Sequence, residues 1–249
     1  MQSEVEFVRS LPLTGCGNFR DLGGYRTVDG RRTRWRTLFR SDSLHQMTSE
    51  DVACLETHGI TISTAFDLRT PRELEALGAG PLVELGTRHA HVPFVPVVGD
   101  ATNAEEFYRG LTLAQLYERM FTQAGSCIAA FFETLARTDS YPTVFFCAAG
   151  KDRTGMLAAV LLRALGVEEE ELVSDYVLTE TLTLARLQAR RRESNSRVPE
   201  DFIMARPETI RGFLAGIDAA YASIDGYLES CGLRRATVEA VRENLLEPA

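Results

Sequence analysis

Residues 147–155 read Cys-Ala-Ala-Gly-Lys-Asp-Arg-Thr-Gly, and they constrain the fold more than any other stretch of the chain. A β-branched and aromatic run, Thr143 to Cys147, leads into them, and an apolar helical run, Arg153 to Leu165, leads out. A strand that turns directly into a helix puts the turn at the carboxyl edge of a sheet, where open α/β sheets bind their ligands. Gly150 lets the backbone turn, and the following helix offers a partly positive N-terminus. The spacing of Cys147 and Arg153 suits a loop curled around a tetrahedral anion. Lys151 is the only lysine in 249 residues; every other basic side chain in the Lys+Arg count is arginine.

Phosphoryl transfer without a metal needs a nucleophile, donors for the non-bridging oxygens and an acid for the leaving group. Cys147 supplies the nucleophile. The backbone amides of Ala148, Ala149, Gly150, Lys151, Asp152 and Arg153 supply donors. The Arg153 fork can bind two oxygens at once, which a lysine does poorly. The same donors favour thiolate over thiol at Cys147. Thr154 is expected to donate its hydroxyl to that sulfur, and Gly155 to let the helix pack closely. A nucleotide-binding phosphate loop is excluded, because Asp152 rather than Ser or Thr follows Gly150-Lys151 and Phe145 stands at the earlier glycine position. The bland alternative is a buried structural cysteine ahead of a capped helix.

The loop resembles the Cys-x-x-Gly-Lys-Asp-Arg-Thr-Gly signature of bacterial protein-tyrosine phosphatases of the B type, the lipid-phosphatase-like enzymes. Asn18-Phe19-Arg20-Asp21-Leu22-Gly23-Gly24-Tyr25 is similar to that family's N-terminal motif. Phe39-Arg40-Ser41-Asp42, Asp67-Leu68-Arg69, Ala205-Arg206-Pro207-Glu208 and Gly232-Leu233 extend the likeness from about residue 14 to the C-terminus. The resemblance implies a phosphatase-type α/β fold, a cysteinyl-phosphate intermediate, and neither metal nor cofactor. One departure stands out: Phe146 occupies the position where the family usually has a histidine that helps hold the thiolate.

The leaving-group acid has three candidates. The single tryptophan, Trp35, is followed by Arg36, so the mobile Trp-Pro-Asp loop of classical tyrosine phosphatases is absent. Asp152 lies in the loop itself, and the resemblance favours it. Asp67 closes a predicted strand, where an ion pair with Arg69 or Arg72 is an equal reading. Asp100 follows the 88–95 strand, where dual-specificity phosphatases often place their acid. Lys151 is open to two readings. It suits a substrate with more than one phosphate, such as a phosphoinositide head group, or it pairs with an acid and fixes the loop.

Elsewhere the sequence predicts strands at Thr33–Phe39, Ile60–Leu68 and 88–95, and helices at 49–58 and from Thr70-Pro71 onward. Both helices open on possible capping boxes or caps, Thr48 with Asp51 and Thr70 with Glu73. Two helices are expected over Ala104–Arg137, broken near Gly125, then helices at 168–193, 207–221, 223–231 and 236–246. The pattern is α/β: a phosphatase-type central sheet flanked by helices, with a helical C-terminal addition. It reads as one phosphatase domain over 1–249, with a lid-like helical region at about 180–206. The basic stretch Arg186, Arg190, Arg191, Arg192 and Arg197 reads as a solvated helix end more readily than as a recruiting surface.

A net charge of −8 sets the surface as a whole against nucleic acid and anionic membrane, so an anionic substrate needs a local positive site. The five cysteines and four histidines show no disulfide framework or metal-ligand spacing. The first residues do not look like a signal peptide and no apolar run is long enough to span a bilayer, which points to the cytoplasm, with export by another route left open. The expected activity is that of a cysteine-dependent protein-tyrosine phosphatase acting on phosphoproteins and, more widely, on phosphoserine/threonine and phosphoinositides. Phe146 motivates one alternative, a weak phosphate-binding pseudophosphatase. A thiol-based arsenate reductase or sulfurtransferase fits poorly, since the low-molecular-weight phosphatase and arsenate reductase fold carries its loop near the N-terminus. The sequence leaves the oligomeric state open.

Overall fold

The computed structural model describes residues 7–94, 110–193 and 202–249. Its strands are β1 (Arg20–Asp21), β2 (Arg31–Thr33), β3 (Leu38–Ser41), β4 (Thr64–Asp67), β5 (Arg88–His91), β6 (Thr143–Phe146) and β7 (Leu246–Pro248). Five of them form the central sheet in the order β1-β3-β6-β4-β5; β2 and β7 form a separate antiparallel pair. The central strand β6 runs parallel to both neighbours, β3 and β4, and only the edge strand β1 is antiparallel. Phe146 stands opposite Ser41 on one side and Asp67 on the other. Cys147 therefore leaves the sheet at the carboxyl ends of three strands, where the sequence places a ligand loop.

Side-chain alternation along the strands builds two apolar layers. Val144 and Phe146 join Phe39 and Ala65 in the smaller layer, together with Leu55 of α1 (Ser49–Thr57) and Leu82 of α3 (Pro81–Glu84). Phe145, Phe66 and Leu38 join the larger one, covered by α4 (Leu113–Phe121), α5 (Gly125–Leu135), α6 (Asp152–Ala164), α7 (Glu169–Glu193), α8 (Pro207–Tyr221), α9 (Ile224–Ser230) and α10 (Arg235–Leu245). The Phe131 ring of α5 lies 5.0 Å from both Phe66 and Phe145. Arg40 follows the same alternation. Its neighbour Phe39 faces the smaller layer, so Arg40 faces the helical side, toward α7.

The capping boxes at Thr48/Asp51 and Thr70/Glu73 are both formed, the second at the head of α2 (Pro71–Leu77). The α6 and α7 boundaries lie within a residue of those expected, as do those of α8, α9 and α10. Three strands are shorter than the sequence suggests, the one expected at 88–95 being sheet only over Arg88–His91. Ile60–Leu68 is extended sheet only from Thr64. Thr33–Phe39 is not one strand: the chain turns at Arg36, whose φ is 57° and whose amide is held at 2.7 Å by the Asp21 carboxylate. The turn packs Trp35 against Gly23 and Gly24, where an added Cβ would come within 2.4 Å of Trp35 atoms. Of the lid-like region, residues 180–193 continue α7; 194–201 lie outside the described residues, as does the expected helical start at 104–109. No helix of the described residues is long and apolar enough to cross a membrane.

Candidate active site

The loop after β6 is held from outside by its carbonyl oxygens. Ala148 O accepts from the Ser43 amide at 3.4 Å, Ala149 O from Asn18 Nδ2 at 3.2 Å, and Gly150 O from an Arg40 guanidinium nitrogen at 2.8 Å. In a planar trans peptide the N–H points opposite to the C=O. Three successive carbonyls turned toward the 18–43 framework therefore turn the amides of Ala149, Gly150 and Lys151 to the other side, as an anion cradle requires. Gly150 makes this possible. Its φ is 65°, and a Cβ there would lie 2.6 Å from Asn18 Nδ2 and from Ser41 O. The motif residues Asn18 and Arg40 thus have a shared task, the shape of a loop more than a hundred residues away.

Beneath the loop, Arg20 and Arg40 are fully buried and share one carboxylate, Asp175 of α7. Arg20 Nε lies 2.8 Å from Asp175 Oδ1 and Arg40 donates to Oδ2 at 2.5 Å. Tyr25 donates to Oδ1 at 3.0 Å. Burial pushes the Asp175 carboxyl up, but the two arginine charges outweigh it and hold the group below the usual carboxylate range. Two cations against one anion leave a positive excess under the cradle of an acidic protein.

Cys147 is buried at the mouth of the loop, with 2% of its surface exposed. Arg153, in the first turn of α6, gives both terminal nitrogens to Glu73 of α2, at 2.7 and 2.8 Å. Glu73 also accepts from the Thr70 amide at 2.7 Å, so one carboxylate caps α2 and orients the arginine. Burial works to lower the Arg153 pKa, but the hydrogen bonds to Glu73 and the nearby acidic groups outweigh it and raise it above its ordinary value.

The Cys147 loop, its carbonyls held from outside, thus stands at the carboxyl edge of a mostly parallel sheet. Residues 11–247 match the tyrosine phosphatase family. The chain belongs to that family. Two bacterial relatives agree, and the chain is a protein-tyrosine phosphatase. The triple specificity protein phosphatase PtpB of Mycobacterium tuberculosis is 28% identical over 283 aligned positions, covering 96% of this chain and 99% of the relative. A Cupriavidus necator protein designated a tyrosine-protein phosphatase is 29% identical over 241 positions, covering 91% of this chain and 85% of that one.

In this tyrosine phosphatase the candidate acids separate. Asp152 has a 37% exposed side chain and receives Tyr117 OH at 2.7 Å and Lys151 Nζ at 2.8 Å, both on Oδ1. Asp67 is fully buried and paired instead: Arg69 Nε donates to Oδ1 at 2.9 Å and another Arg69 nitrogen to Oδ2 at 2.6 Å, with His89 3.1 Å from Oδ2. Burial raises the Asp67 pKa, yet the Arg69 hydrogen bonds bring it below the usual value, so it stays an ionised partner. This is the ion pair with Arg69 that the sequence offers as an equal reading beside a catalytic one. Asp100 lies outside the described residues.

Four further residues narrow or depart from what the sequence suggests. Lys151 is 3% exposed, and besides Asp152 it donates to Phe202 O at 2.7 Å, so its ammonium is turned to fixing the loop against the 202–205 segment. Thr154 Oγ1 is buried without a hydrogen-bond partner and does not reach the Cys147 sulfur. Gly155 admits the Tyr176 ring of α7, which would lie 3.0 Å from an added Cβ, rather than the loop. Arg186, read as part of a solvated basic stretch, turns onto the N-terminal segment at Thr14 O, Gly15 O and Asp42. Arg190, Arg191 and Arg192 lie in the last turns of α7, and Arg197 lies outside the described residues. Among the described residues no cluster of His, Cys, Asp and Glu could hold a metal ion. Glu73, Tyr117, Tyr176 and Asp175 are neighbours of the loop and its supports that sequence reasoning misses. Only Glu73 carried a signal, as a helix cap.

Proposed function

We propose that the phosphatase works through a cysteinyl-phosphate. Cys147 Sγ attacks phosphorus as the bond to the leaving oxygen breaks. The loop amides and Arg153 hold the non-bridging oxygens. Asp152 gives its proton to the leaving oxygen, then takes one from the water whose oxygen displaces sulfur from phosphorus. The outward-held carbonyls of Ala148, Ala149 and Gly150 are the observation that carries this reading, because they leave the amides beside Cys147 facing one point. Asp152 is preferred as acid because Asp67 is locked to Arg69, whereas Asp152 is partly open to solvent.

Phosphotyrosine is the primary substrate in this reading, with wider activity on phosphoserine/threonine and phosphoinositides, in keeping with the breadth in the mycobacterial relative's name. The protein as a whole acts as one phosphatase domain, without metal or cofactor. Para-nitrophenyl phosphate turnover by wild type beside Cys147→Ser tests the nucleophile. Losing the nucleophile should cost at least ~10³-fold, since covalent catalysis carries the first step. A Cys147→Ser enzyme within a few-fold of wild type would refute it.

A further inference from the structure

Asp152 reaches its acid role with one oxygen already occupied. Tyr117 of α4 donates to Oδ1 at 2.7 Å, and Lys151 Nζ lies 2.8 Å from the same oxygen. The Tyr117 hydroxyl proton is thereby committed, so the 2.8 Å contact between the Tyr117 and Tyr176 hydroxyls must have Tyr176 as donor. A one-way chain results, from Tyr176 of α7 through Tyr117 to Asp152. Both rings are rigidly set. Tyr117 is wholly buried and packs edge-on against Tyr176 and Phe213, while Tyr176 fills the space left by Gly155.

We infer that Tyr117, backed by Tyr176, is a positioning residue for the leaving-group acid: with Lys151 it completes the two donors on Asp152 Oδ1 and so leaves the transferable proton to Oδ2. This rests on Asp152 being the acid. Burial, then the Asp152 charge, keeps both phenols protonated across the working range, so the donor never lapses. A donor on a carboxylate favours its charged form, which makes the acid a readier proton source. The other charged or titratable groups facing this chain are Lys151, Arg153 and Cys147 from the loop and α6, Glu180 from α7 and Arg40 from β3. None of them replaces a hydroxyl donor on Oδ1 from the α4 side.

The test is a series of aryl phosphates of graded leaving-group strength, read as kcat/KM across pH, for wild type, Tyr117→Phe, Tyr176→Phe and Asp152→Asn. Tyr117→Phe should slow phenyl phosphate about tenfold more than a dinitrophenyl ester, the effect of losing one hydrogen bond to a charged group. It should also move the alkaline limb for the poor leaving group to higher pH, since the acid then holds its proton more tightly. Tyr176→Phe should shift both in the same direction by less, and it decides the matter if Tyr117→Phe does not fold. An equal loss across the series with an unmoved limb would reduce Tyr117 to a packing residue and overturn the inference. If Asp152→Asn itself shows no leaving-group dependence, the acid assignment fails and takes this inference with it. If Asp152→Asn shows it and the tyrosine variants do not, only the inference fails.

Discussion

Lys151 shows how one residue changes meaning between sequence and structure. As the sole lysine in a cationic loop, it reads equally well as a second phosphate ligand and as a tether. The structure spends its ammonium on Asp152 Oδ1 and Phe202 O, with almost no surface left open. A tether supports every substrate alike. Lys151→Met should therefore lower turnover of a phosphotyrosine peptide and of a phosphoinositide by similar factors, each roughly 10–100-fold for a lost charge-assisted contact. A loss confined to the phosphoinositide, measured side by side, would return Lys151 to the role of substrate ligand. Phe146 is the opposite case. Its position before Cys147 suggested a missing thiolate support, yet its ring is fully buried in the smaller core layer, with the Arg69 guanidinium carbon 5.2 Å from its centroid.

Among the elements, the strand-loop-helix unit from Thr143 to Ala164 is legible in the sequence because each part follows from local chemistry: a β-branched run, a glycine that must take positive φ, and an apolar helix that stops just before Gly166. The caps of α1 and α2 are legible for the same reason. Long-range partners are not. Glu73 carries a visible cap signal, but nothing local says that α2 points it at Arg153 eighty residues on. Asp175 sits inside a long helix with no cue that two buried arginines converge on it. Glu73 makes the link between α2 and the loop measurable. Burial acts to raise its pKa, but Arg153 and Thr70 outweigh it and bring it down to about 2 from an ordinary 4.5. A depressed carboxyl contributes stability above its unfolded value and loses it as pH falls through the folded one. Glu73→Gln should therefore be less stable than wild type at neutral pH, by on the order of 1 kcal/mol because the pair is partly solvent-screened. The difference in denaturant midpoints should shrink between pH 4.5 and 2. A difference that stays constant with pH would show that the pair contributes nothing.

At the scale of the molecule, an acidic protein handles an anionic substrate by concentrating positive charge where the fold converges. The sheet brings the ends of β3, β4 and β6 together, and the helical side contributes Asp175, which keeps two arginines buried while leaving their charge in excess under the loop. The N-terminal motif, the central loop and α7 thus act as one unit, each short of a site by itself. The central claim is that this unit makes Cys147 a nucleophile that carries phosphate. The most direct measurement is intact-protein mass spectrometry of enzyme quenched in acid during turnover of an aryl phosphate, with peptide mapping of the adduct. The account predicts a single added phosphoryl group on the peptide bearing Cys147, accumulating in Asp152→Asn if that aspartate activates the hydrolytic water, and absent from Cys147→Ser. Turnover without any phosphoryl adduct in either cysteine-containing enzyme, or an adduct mapped to another residue, would contradict it.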